Sequence, residues 1–500
     1  MSSHSLKGFL KGSFWVALAK IVTRLAGLIV LPILAWLLEP AALGLYSLVQ
    51  RTVQTGDNLS RLGIDAAMHR NGAQYQTIGT EAVGRLFGVG ACLITCTGGA
   101  IALTLWLFRE AIALNWLGEP SVEPWLGLTA IFIVLTAIGS PSWFYLLALG
   151  AFRAHSLRIS VATIAGTAAT VALAWSFGLA GALWGLGVTA LIQTIWGWWL
   201  TLPILREKGI QLRCDRFITE ARGILSFGLP FYAGNFLSSF VALPLLGYVS
   251  QVGGIEQLGY LRVAQSLSQL ISFLPTSIGP VLISNLSANL VADAEGYLQL
   301  KSLHLRSLWV FILIISVATC FSLEFLIPRL FGSSYTEAIL LSRITIWITA
   351  VRSLSGMLSQ YVISAGKTRI IAAIQTGGLL ITVLSALMLI PLYSSLGLLL
   401  AQGLAAIFIL SAYIKPALGD LELADRKHLW LLTNLSLILL PVTFIQSYIL
   451  KNIWLNLIFT LVTLAVAGVI ATKAFTKKER SITITSIRTV LKRFKEKLYW

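Results

Sequence analysis

Residues 12–49 read GSFWVALAKIVTRLAGLIVLPILAWLLEPAALGLYSLV, and this stretch decides the fold. From Phe14 to Leu38 it is apolar for longer than the ~30 Å hydrocarbon core of a bilayer requires. Only Lys20 and Arg24 interrupt it, and residues four apart share one face of a helix. The basic start MSSHSLKG resembles a signal peptide, but the run is too long for an h-region and shows no small-residue cleavage site, so an uncleaved first span is expected. Pro40 then breaks the run before a second helix begins.

Working outward, apolar stretches long enough to span recur about fourteen times. Hydrophobic residues make up 57% of the chain, charged residues 11%, and the mean hydropathy is +0.83. That usage excludes an ordinary soluble domain. In a soluble protein the net charge of +17 would suggest nucleic acid. Here the cations lie in short loops and the tail, and outer loops hold only Arg109, Arg329 and Lys451 when both ends are cytoplasmic. The positive-inside rule fits that orientation.

The expected fold is an all-α polytopic membrane protein of about fourteen transmembrane helices. Residues 1–204 form a first six-helix bundle and 205–222 (LREKGIQLRCDRFITEAR with its leading Leu205) a basic cytoplasmic linker. A second six-helix bundle covers 223–414, two additional spans cover 415–474, and a basic cytoplasmic tail covers 475–500. Apolar residues alternate with basic ones along that tail, so it is either an amphipathic helix on an anionic leaflet or a solvated arm. The cysteines, Cys92, Cys96, Cys214 and Cys320, show no ligand spacing, and no metal or cofactor is expected. Ala365-Gly-Lys-Thr368 lacks the first glycine of a phosphate loop, since Tyr361 stands there. All histidines are assigned to inner loops or tails, which leaves no intramembrane histidine relay.

Lys20, Arg24, Arg51, Arg61, Arg262, Arg343 and Arg352 lie inside expected spans, against only Asp57, Asp65 and Glu324. A cation at the bilayer centre costs roughly 2.5–3.5 kcal/mol. The set would cost about 20 kcal/mol facing lipid, so most must line a wet interior or pair within it. On the second span (42–66), Arg51, Gln54, Asn58, Arg61 and Asp65 follow steps of three and four and read as one helical face. Asp57–Arg61 and Arg61–Asp65 are i,i+4 pairs. On the eighth span (255–290), Arg262, Gln265 and Gln269 repeat the spacing of Arg51, Gln54 and Asn58. Arg343 and Arg352 are about 180° apart around a helix and cannot share one cavity. Two readings remain: a cationic, amide-rich substrate cavity, or charges that cross-link helices. With more cations than acids, complete pairing is impossible. The carboxylates Asp57, Asp65 and Glu324 are either fixed counter-ions or titrating groups of a proton- or sodium-linked cycle.

The chain also repeats itself. Tyr145–Arg153 aligns without gaps to Tyr361–Arg369, and at the same offset Gly181 meets Gly397 and Gly187 meets Gly403. Gly44-Leu-Tyr46 echoes Gly259-Tyr260-Leu261. Parallel repeats are one standard transporter plan.

The opening stretch, its Leu37-Leu38-Glu39-Pro40 break, the Gly44-to-Tyr46 start of the second helix, and the signals at 225–239, 361–369 and 391–405 resemble Wzx-type polysaccharide flippases of the multidrug/oligosaccharidyl-lipid/polysaccharide exporter (MOP) superfamily. The resemblance covers residues 8–475 in order. It implies a V-shaped pair of six-helix bundles alternating between inward and outward openings, in the bacterial inner membrane. It implies a cargo of undecaprenyl-pyrophosphate-linked oligosaccharide, a coupling proton or sodium ion, and a glycan polymerase and other polysaccharide assembly proteins as neighbours. The substrate-binding candidates are then Lys20, Arg24, Arg51, Gln54, Asn58, Arg61, Arg262, Gln265, Gln269 and Arg343. A lipid II flippase is the nearest alternative. A cationic-drug antiporter fits the cation surplus poorly, and a glycan polymerase would need a larger outer loop with catalytic groups.

Overall fold

The computed structural model describes residues 3–292, 294–364, 367–419, 423–449, 459, 460, 462–466, 468 and 469. The tail 475–500 and most of the expected span 452–474 lie outside the described residues. The structure is 92% helical. Among the described residues, eight helices are long and apolar enough to cross a membrane, and no strand occurs. The chain is a multi-pass, all-α membrane protein.

In chain order the helices are α1 (Ser3–Leu37), α2 (Pro40–Arg61), α3 (Ile64–Tyr75), α4 (Thr80–Leu107), the short α5 (Arg109–Ala111), α6 (Glu123–Ala148) and α7 (Phe152–Glu207). They continue as α8 (Phe217–Gly253), α9 (Glu256–Ala292), α10 (Ala294–Leu330), α11 (Ala338–Ser364), α12 (Thr368–Leu418) and α13 (Leu423–Ile449). Two of them are double spans. α7 contains non-helical Gly178 (φ 57°, ψ −134°), and α12 contains non-helical Ser394 (φ 48°, ψ −121°). A positive φ stops a helix and lets the chain turn back. The next turn then packs tightly in both hairpins. A methyl at Gly181 would sit 1.9 Å from the Leu173 carbonyl oxygen, and one at Gly397 would sit 2.2 Å from that of Leu389. The same residues at the same offset do the same work in each repeat. Gly181→Ala is therefore expected to cost about 1–3 kcal/mol by overpacking. A lowered thermal unfolding temperature of the solubilised protein would show it; an unchanged one would contradict the tight hairpin.

The chain forms two compact units. The first comprises Met1–Ser266, Pro328–Ala338 and Leu379–Ala401. In it α6 packs between α4 and α7, α1 lies along α7, and α2 contacts α4, α6 and α8. Its core includes Met68, Phe87, Phe144, Tyr145, Leu205 and Ile224. The buried Tyr145 ring stacks on Phe87 with centroids 4.1 Å apart, and its hydroxyl donates to the Phe87 carbonyl. The second unit comprises Leu267–Ile327, Ile339–Gly378 and Gln402–Trp500. There the indole N–H groups of Trp309 and Trp347 donate to Ser436 and Thr443, tying α10 and α11 to α13.

One expected element is corrected. The polar helix does not run on to residue 66: α2 ends at Arg61, Leu62 (φ 46°) and Gly63 (φ 74°) are left-handed, and α3 restarts at Ile64. The break presses on α8, since a methyl at Gly63 would meet the Gly228 carbonyl oxygen at 2.2 Å. Asp65 consequently leaves the helix that carries Arg51 and Arg61 and stands in the first turn of α3, where a carboxylate complements the helix dipole. The histidines are corrected too: His4, His69, His155, His304 and His428 lie within α1, α3, α7, α10 and α13 rather than in loops.

A candidate cation-lined site

Within the first unit, α2 and the start of α9 cross at two glycines. A methyl on Gly44 would lie 2.1 Å from the Ile255 carbonyl oxygen, and a methyl on Gly259 would lie 2.2 Å from that of Pro40. The contact is reciprocal: each glycine receives the backbone that precedes the other by four residues, the signature of a local two-fold pairing. Small residues allow such close approach between membrane helices, where packing rather than hydrophobicity drives association. Pro40 suits the first helical position, where its missing N–H costs nothing. Behind the crossing, the Tyr335 hydroxyl donates to the Leu38 carbonyl at 2.7 Å.

The crossing also carries two arginines, one on each helix. Arg262 Nη2 donates to Gln50 Oε1 at 2.7 Å, and Arg51 Nη2 donates to Gln265 Oε1 at 3.0 Å. Gln50 and Gln265 stand at the offset that relates Gly44 to Gly259. The spacing match of Arg51 with Arg262 and Gln54 with Gln265 lies one helical turn short of this register, so it is a similarity of design and not an equivalence of positions, and it does not include Gln50. The glycine register already contained the signal for it. Because the acceptor is a neutral amide, each guanidinium is oriented without losing its charge. Arg51 is exposed and Arg262 half-buried.

The other candidates divide among separate places. Lys20 is exposed and Arg24 half-buried on α1; Gln54 is exposed and Asn58 half-buried on α2. The Asn58 carbonyl accepts the Tyr232 hydroxyl at 2.7 Å. Arg61 forms an ion pair with Asp57 and lies over the Trp143 ring at 5.2 Å. Gln269 is exposed and belongs to the second unit. In that unit Arg343 Nη2 bonds Glu324 Oε1 at 2.8 Å and is buried, while Arg352 is exposed. The opposition of Arg343 and Arg352 on α11 is thus real, and the acid takes the buried member. Three buried cations escaped the sequence: Arg158, Lys301 and Arg306. Each stands near the mouth of an expected span, where a cation reads as part of the adjoining loop.

A family model described as polysaccharide biosynthesis protein matches residues 9–288. No curated protein matches the chain. Among solved structures, lipid II flippase MurJ in an inward closed conformation is similar at a TM-score of 0.73 and 14% identity, covering 91% of this chain and 98% of that one. An inward-facing multidrug resistance MATE family transporter of the MOP superfamily gives 0.60 at 16% identity, with 83% and 95% covered. A MOP superfamily transporter from Pyrococcus furiosus, described as having a binding pocket of reversed polarity, gives 0.54 at 16% identity, with 85% and 96% covered. At these identities the likeness is one of fold.

Proposed function

This chain belongs to the family of polysaccharide biosynthesis proteins and has the MOP-superfamily fold, and from that premise we propose that it translocates undecaprenyl-pyrophosphate-linked oligosaccharide repeat units across the bacterial inner membrane by alternating access, with both termini cytoplasmic. The observation that carries the reading is the reciprocal pair of arginines, Arg51 and Arg262, held by Gln265 and Gln50. A pyrophosphate presents several oxygens in fixed geometry, and a planar guanidinium binds such oxygens through two charge-assisted hydrogen bonds. Neutral glutamine partners keep that capacity available. Lys20 and Arg24 add positive charge, and Gln54 and Asn58 offer amides to sugar hydroxyls. Arg61 and Arg343 already hold Asp57 and Glu324, so we assign these acids as counter-ions. The lipid tail stays in the bilayer while the head group crosses, and a polymerase on the far side consumes the product.

A second reading has one observation in its favour, the likeness to lipid II flippase MurJ. Lipid II is likewise an undecaprenyl pyrophosphate, so the arginine pair would serve either cargo. The test is a strain lacking the protein. We expect one lipid-linked repeat unit to accumulate on the inner leaflet, relieved by the intact protein. Accumulation of lipid II with cell lysis would select the second reading. Accumulation of unpolymerised units on the outer leaflet would overturn translocation and point to a polymerase.

A further inference from the structure

We propose that the first unit holds a second, separate binding site, for a small monovalent inorganic anion such as chloride, between Arg61 and Arg158. This site does not rest on the proposed cargo. Arg158, on α7, is only 6% exposed. Its Nη2 donates to the carbonyls of Gly139 and Gln193 at 3.2 and 3.4 Å, and no acid pairs with it among the described residues. Its neighbour Arg61 pairs, among the described residues, with Asp57. Two guanidinium groups and one carboxylate therefore line one cavity of about 280 Å³, together with Trp143, Ser140 and Thr163. The cavity carries one uncompensated positive charge amid membrane-spanning helices. A buried ion without a counter-charge costs several kcal/mol.

Three side-chain atoms of these lining residues are buried without a hydrogen-bond partner: Asp57 Oδ1, Arg61 Nε and Arg158 Nε, the last lying against Gly197. The space is large enough for several waters, or for one hydrated halide. Charge decides the valence: a monovalent anion brings the cluster to neutrality, and a phosphate dianion would overshoot it. Arg61 is ten residues beyond Arg51 on α2, about 15 Å along the axis and about 80° around it. The two cationic positions thus face different surroundings.

The test uses the purified full-length chain in nanodiscs free of lipid-linked glycan. Thermal unfolding is followed as chloride replaces gluconate at constant ionic strength. Saturating chloride is expected to raise the unfolding temperature by roughly 2–4 °C. Asp57→Asn raises the cavity charge, so half-saturation should fall at least about tenfold in chloride. Arg158→Gln should abolish the response. A purely structural role would lower the unfolding temperature of both variants without any chloride dependence, which would overturn the proposal. So would a chloride response that neither variant changes, or stabilisation by inorganic phosphate and not by chloride. If Arg158→Gln does not fold, the direction of the Asp57→Asn change decides.

Discussion

Replacing Gln50 or Gln265 by glutamate is expected to slow translocation of the lipid-linked glycan at least ~100-fold, as much as replacing Arg262 or Arg51 by alanine. The argument turns on what the arginines bond. Each donates to a neutral amide oxygen on the facing helix, at 2.7 and 3.0 Å. A carboxylate in that place would bind the same guanidinium more strongly and cancel its charge. Hydrogen bonds to charged groups contribute roughly 1.5–3 kcal/mol each. Two such bonds per arginine to the pyrophosphate amount to about 3–6 kcal/mol, or 10²–10⁴ in rate if they form fully only during transit. Arginine-to-alanine removes both the group and its charge. Glutamine-to-glutamate leaves the arginine in place and strengthens its anchorage, so the fold should be intact or more stable. The pair of results separates cargo binding from helix cross-linking. Transport assayed in membranes that carry normal amounts of protein is the measurement. Near-normal rates in Gln50→Glu would mean that Arg262 serves only the fold. Arg262→Lys keeps the charge and loses the planar fork, and should fall between the unaltered protein and Arg262→Ala.

How much of this was legible before the structure depends on whether the cause was local. The repeat that matches Gly181 with Gly397 was legible, and a positive-φ residue stands three positions before each, at Gly178 and Ser394. The matched tyrosines Tyr145 and Tyr361 are both buried and both donate to backbone carbonyls. The break at Leu62–Gly63 was not legible, because the segment Leu59–Asp65 scans as helix and only the backbone of α8 explains the turn. The pairing of Arg343 with Glu324 joins two helices, and no spacing rule reaches across helices. Arg158 was hidden by its place at a span end. A cation there normally snorkels to the interface, whereas this one folds inward onto two carbonyl groups. Gln50 lies in the glycine register, whereas the spacing of the two arginines lies one turn away from it.

Replacing Gly44 or Gly259 by valine is expected to remove transport almost completely, and the two changes should not add. A valine Cβ at either position would meet a carbonyl oxygen at 2.1 or 2.2 Å, far inside van der Waals contact. Backbone cannot rotate away as a side-chain tip can, so the crossing must open. Overpacking of this kind typically costs 1–3 kcal/mol and occasionally more. Opening also separates Arg262 from Gln50 and Arg51 from Gln265, so the functional loss exceeds the loss of stability. The reciprocal geometry fixes the outcome of the double variant. Either valine alone wedges the same pair of helices apart, and the second then enters space that the first has created. The combined destabilisation should therefore fall short of the sum by about 1 kcal/mol or more, the mark of two residues acting on one contact. Thermal unfolding of the two single variants and the double variant measures it. Additivity within ~0.5 kcal/mol would mean that Gly44 and Gly259 act at independent contacts, and the two-fold pairing that positions both arginines would fall with it.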